Sequence, residues 1–191
     1  MSAARLRQVL LIGCFLPWCW LAMMVVHECG HVLAAWLTGA TVERVVLHPL
    51  ALSQTDLGEN PQPLLVSWAG PWIGCALPCL AWLVVKMPSF AVTPFARFFA
   101  GFCLVANGVY LGMGAWIGDG DAGDLLRTGA QVWQLVLFGI GAAAGGFWMW
   151  HGQGRTFGFK GTHEQITKRS VITVASVLII TVTLEALLSP L

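Results

Sequence analysis

Apolar residues dominate this chain in five long blocks, at about 9–37, 64–85, 98–117, 131–150 and 171–188, with short polar connections between them. Each block approaches or exceeds the ~20 residues a helix needs to cross a bilayer. The first would be roughly 43 Å long as a single helix, more than the ~30 Å hydrocarbon thickness requires. Pro17 offers it a kink, and Thr38-Gly39 offers it a stop. The second block carries Pro71 and Pro78, and the third is interrupted chiefly by Asn107. The connection after the first block begins with Thr41-Val42-Glu43-Arg44-Val45-Val46-Leu47, β-branched and half apolar, which predicts a short strand or hairpin. Residues 53–61 read as turn and loop. The expected fold is all-α: a multi-pass transmembrane bundle of about five helices with a small β element after the first.

Composition agrees. Of 191 residues, 57% are hydrophobic and 10% charged, whereas soluble domains carry about 25% charged residues. An integral membrane protein is expected, with the lipid bilayer as its solvent and the cell membrane as its location. The net charge of +1 gives no reason to expect nucleic acid as a partner. Trp36, Trp68, Trp116, Trp133, Trp148 and Trp150 fall near block ends, where indoles favour the headgroup layer. All six cysteines lie in apolar blocks, which predicts packing rather than disulfides. Arg5 and Arg7 before an apolar run imitate a signal peptide, and Leu11-Ile12-Gly13-Cys14 imitates a lipoprotein box. The apolar stretch before Cys14 is short and no A-x-A site follows, so an uncleaved helix is expected.

Basic residues gather before the first block, around the second connection and in 151–170, while the other connections hold acidic residues. That alternation predicts an N-terminus inside and a C-terminus outside.

The chemistry is concentrated in His27-Glu28-Cys29-Gly30-His31, which lies directly after eighteen residues without a charge. Ionisable groups in a membrane helix are costly and mark function by default. The pattern H-E-x-x-H places two imidazoles one turn apart on one helix face, able to share a zinc ion, with Glu28 beside them as general base. A catalytic zinc takes three protein ligands. No histidine or glycine follows at metzincin spacing, since positions 34 and 37 are Ala34 and Leu37. The best source of a third ligand is Gly118-Asp119-Gly120-Asp121-Ala122-Gly123-Asp124, which is no EF-hand because Gly123 and Ala130 occupy ligand positions. Asp121 is the first choice and Asp119 the alternate. The bland reading is an acidic turn in which Asp121 or Asp124 caps a short helix. His31 lies close to the far end of the first run, and the third run, entering from the same side, has the aspartates at its far end, so the two parts of the site fall at one end of the bundle.

With these residues the chain resembles the site-2 protease family of intramembrane zinc metalloproteases. That family carries H-E-x-x-H on a membrane helix and an Asp-Gly ligand motif at a later one, matched here by His27, Glu28, His31 and Asp119-Gly120-Asp121. Ala69-Gly70-Pro71 and Asn107 are similar to the family's intervening glycine-proline element and to its asparagine upstream of the aspartate. The resemblance covers about residues 9–124 of one membrane-embedded domain, with 125–191 adding helices and a basic loop. It implies a zinc cofactor, a membrane-protein substrate, an edge strand at 41–47 that pairs with it, and Gly70, Pro71 and Asn107 as supporting residues. It also implies a site facing the cytosol, opposite to the charge pattern. Two other readings exist: a catalytically silent relative that binds membrane segments, and a metal transporter. Transport would need further ionisable groups in other helices, and there only Asn107 and Glu185 interrupt the apolar runs.

Overall fold

The computed structural model of the chain describes residues 1–87, 92–162 and 165–189. Five helices within it are long and apolar enough to cross a membrane. They are α1 (Ala3–Thr38), α2 (Pro63–Lys86), α3 (Thr93–Ile117), α5 (Val132–Trp150) and α6 (Lys168–Leu188), with a short α4 (Gly120–Arg127) between α3 and α5. The protein is an integral membrane protein of the multi-pass helical class.

The starts of α1, α3 and α6 lie earlier than hydrophobicity alone predicts. α1 begins at Ala3 because Ser2 caps it, its Oγ accepting from the Arg5 N–H at 3.3 Å, so the basic Arg5 and Arg7 form its first turns. Pro17 lies inside α1 without ending it. Gly39 does end it: φ is +78°, a conformation glycine adopts freely, and its N–H closes on Ala35 O. In the same way α3 begins at Thr93 and α6 at Lys168, each including polar residues outside the apolar count. Of the basic connection at 151–170, residues 163 and 164 lie outside the described residues.

The predicted strand is β1 (Val42–Val46). The expected loop at 53–61 is corrected in part, for Gln54–Leu57 is a second strand, β2, antiparallel to β1. Pairing sets Val45 opposite Thr55 and Val46 opposite Gln54, with a bulge around Glu43. A β-branched β1 can recruit a polar partner strand, since ladder hydrogen bonds come from backbone and not from side chains.

Small residues let the helices meet closely. On α2 the buried face is Val66, Gly70, Pro71, Gly74, Cys75 and Pro78, a small-residue stripe of the kind that draws membrane helices together. α1 enters it at Gly30, where a Cβ would lie 2.9 Å from Gly70 Cα. α3 enters it one turn on, where a Cβ at Gly74 would lie 2.9 Å from the Asn107 amide. α5 backs α3 through Gly139, whose added Cβ would lie 2.7 Å from Gly108 O. α4 is pinned under α3 by Ala122 and Leu125, both fully buried with Leu111 and Leu135. α1, α2, α3 and α4 thus surround one point, about 10–16 Å along the axis from the C-terminal end of α1. Trp36, Trp116, Trp133 and Trp148 are exposed near helix ends, facing what would be lipid headgroups.

Candidate metal centre

His27 and His31 project from α1 toward α2 and α3, with their Nε2 atoms 3.1 Å apart. The second nitrogen of each ring is held. His27 Nδ1 donates to Asn107 Oδ1 at 2.6 Å, and His31 Nδ1 donates to the Val66 carbonyl at 2.8 Å. The Asn107 amide cannot be turned round, because its Nδ2 donates to Cys103 O at 2.9 Å. A carbonyl oxygen only accepts, so both rings carry a proton on Nδ1 and leave Nε2 as the free ligand atom. Such outer partners are the usual means of fixing the tautomer of a metal-binding imidazole.

α4 brings the third group. Asp121 Oδ2 lies 2.8 Å from His27 Nε2 and its Oδ1 lies 3.3 Å from His31 Nε2. One ligand atom from each of His27, His31 and Asp121 lies within 4.8 Å of the others. Three lone-pair atoms converge so closely only with positive charge among them, as protons or as a cation. Burial by itself would raise the Asp121 carboxyl, but with a second proton on the facing rings, at Nε2, the hydrogen bonds and charge of His27 and His31 override it and hold it well below the ordinary carboxylate range. An anionic oxygen beside two imidazole nitrogens is a donor set that suits zinc.

The other two aspartates are engaged elsewhere. Asp119 is the N-cap of α4, its Oδ1 accepting from Gly120 N at 2.8 Å. The capping role expected for Asp121 or Asp124 is therefore taken by Asp119. Asp124 pairs on the surface with Arg127 at 2.6 Å.

Glu28 is buried beside the two histidines on α1, and its Oε2 accepts from Thr55 Oγ1 at 2.7 Å, which ties it to β2. Gly70 lies directly against the two imidazoles: a Cβ there would lie 2.8 Å from His27 Nε2 and still closer to the His31 ring. Pro71 is fully buried in the next position. It has no N–H to give the Ser67 carbonyl, so α2 lacks that backbone bond next to Val66, whose carbonyl accepts from His31.

Residues 6–117 match the sequence model of a family described as Peptidase M50B-like. The chain belongs to the site-2 protease family. The match includes every site residue on α1, α2 and α3 of this site-2 protease family member and ends two residues before Asp119. The place of Asp121 therefore comes from the geometry of α4 alone. No curated protein and no solved structure matches the chain.

Three partners at this centre were missed by sequence reasoning. Thr55 fell in a segment read as loop. The Val66 carbonyl is backbone and leaves no mark in side-chain type. Tyr110, whose hydroxyl accepts from the Asp121 N–H at 3.2 Å, did carry a signal. It is the one tyrosine of the chain and follows Asn107 by three residues on a helix, hence on nearly the same face.

Proposed function

We propose that this protein is a zinc-dependent intramembrane endopeptidase that hydrolyses peptide bonds of membrane-spanning proteins. The observation that carries the reading is the convergence of His27, His31 and Asp121 beside the buried carboxylate of Glu28. The family it belongs to is a peptidase family, which supports hydrolysis over transport.

His27 Nε2, His31 Nε2 and an Asp121 oxygen would hold the metal. When bound, zinc polarises a peptide carbonyl and lowers the pKa of water toward ~7. Glu28 takes a proton from the attacking water as the water oxygen bonds to the carbonyl carbon and the C=O pair moves onto oxygen. On collapse the C=O re-forms, the C–N bond breaks, and Glu28 delivers the proton to the leaving nitrogen. Thr55 keeps the Glu28 carboxylate from turning away, and Asn107 and Val66 keep both rings aimed. A substrate helix must unwind before its carbonyl is free. An extended stretch can then pair along the β1–β2 hairpin, which the Thr55–Glu28 bond holds against the site.

The test is cleavage by the purified protein of a membrane-spanning substrate in vesicles. Hydrolysis that stops on chelation and returns with zinc is expected. Tight zinc binding with no cleavage of any membrane segment offered would make the chain a silent relative instead.

We infer the orientation from charge, against the cytosolic opening that the family resemblance implies. Connectivity puts Arg5, Arg7, Lys86, Arg97, Arg155, Lys160, Lys168 and Arg169 at the end of the bundle away from the site, and only Arg44 and Arg127 at the site's end. Basic residues in short connections stay in the cytosol. The reading is that the site opens to the non-cytosolic face of the cell membrane. An impermeant maleimide added to intact cells should label Glu59→Cys before lysis and Lys160→Cys only after it. The reverse order would turn the site toward the cytosol.

A further inference from the structure

Cleavage of a peptide bond needs a donor for the carbonyl oxygen as negative charge develops on it. Among the described residues, the polar side chains around the centre are nearly all committed. Asn107 uses its oxygen on His27 and one hydrogen of its nitrogen on Cys103 O, and at 1% exposure its second hydrogen has no access to substrate. The Thr55 hydroxyl proton goes to Glu28. Arg127 is held by Asp124.

Tyr110 differs on each count. Its hydroxyl oxygen accepts the Asp121 N–H, while its own proton has no protein acceptor among the described residues. The ring stands edge-on to His27, with centroids 6.0 Å apart. Tyr110 is 46% exposed, whereas Asn107, one turn earlier on α3, is buried. The seat is shaped for it: Gly120 has φ +55°, and a Cβ there would collide with the Tyr110 hydroxyl. The Asp121 N–H fixes the hydroxyl oxygen beside the centre and leaves its proton free to donate, which is the preorganisation an oxyanion donor requires.

We propose that the Tyr110 hydroxyl is the hydrogen-bond donor that stabilises the substrate's oxyanion. Resting on the protease reading above, this makes Tyr110 a catalytic residue in addition to Glu28. It keeps its proton throughout, so the balance of the reaction is unchanged.

The experiment compares wild type with Tyr110→Phe, which preserves the ring and its packing. Three quantities are read on the purified protein in vesicles: zinc affinity by chelator competition, kcat and KM for a membrane-spanning substrate, and the inhibition constant of a phosphinic peptide that mimics the tetrahedral state. Removing one such donor lowers kcat by about 10²–10³. The expected result is that loss, with KM and zinc affinity unchanged and the phosphinic peptide weakened by a similar factor. Unchanged kcat, or zinc affinity falling in step with kcat, overturns the proposal, the latter because the hydroxyl would then serve only to seat Asp121. Wild type that binds no zinc or cleaves nothing would instead sink the underlying protease reading, and this inference with it.

Discussion

Glu28→Gln should lower peptide-bond hydrolysis by about 10³-fold while the protein keeps its zinc, since a positioned general base contributes roughly 10²–10⁴-fold. Glutamine has the same shape, and its carbonyl can still accept from Thr55, so packing at β2 should survive. What disappears is the ability to take a proton from water. The readouts are cleavage of a membrane-spanning substrate and metal content of the same preparation. Undiminished cleavage would remove Glu28 from its proposed role. Loss of zinc along with activity would mean that Glu28 supports the metal directly.

Gly70→Ala should abolish metal binding as fully as loss of a ligand would. Alanine is ordinarily the better helix residue by about 0.5–1 kcal/mol, so no helical penalty is expected from the change itself. Here, however, the new methyl would enter the space of both imidazoles and lie 2.8 Å from His27 Nε2. Either the rings turn from their Nδ1 partners or α2 withdraws from α1 at Gly30. Zinc affinity should drop by at least ~100-fold, the upper range for disturbed outer partners of a metal site. Gly13→Ala on α1 is the matched control, since a Cβ there meets nothing within 4 Å. It should leave zinc affinity and melting temperature unchanged or slightly raised. Equal metal binding by the two variants would contradict the close approach of α2 to the ligands.

Much of the fold was legible because a bilayer enforces it. Backbone polar groups in hydrocarbon must bond within their own segment, so long apolar runs become helices whatever their detailed pattern. The ends were less legible for the same reason in reverse. Arg5, Thr93 and Lys168 lie in helices but outside the apolar runs, where hydrophobicity carries no information and caps such as Ser2 and Thr167 decide. The expected strand or hairpin is a hairpin, but residues 54–57 read as loop because Gln54, Thr55 and Asp56 pair through backbone with β1, a non-local match that no window of sequence displays.

At the site, His27, Glu28 and His31 could be read together because helical spacing brings them together. Asp121 is the first choice from sequence, and the packing of α4 explains why it, rather than Asp119 or Asp124, meets the histidines. Buried Ala122 and Leu125 set the rotation of that helix. With that rotation Asp121 meets the histidines, Asp119 caps, and Asp124 reaches Arg127. The Val66 carbonyl and the Gly70 approach depend on a helix crossing, which composition does not specify. Gly70 itself was visible only through the family resemblance.

Metal analysis of the purified chain and two of its variants tests the central claim most directly. One zinc per chain is expected in wild type, nearly none in Asp121→Ala, and an undiminished content in Asp119→Ala, which loses a helix cap and no ligand. A wild-type protein without stoichiometric metal, or an Asp121→Ala variant that retains it in full, would contradict a centre built from His27, His31 and Asp121.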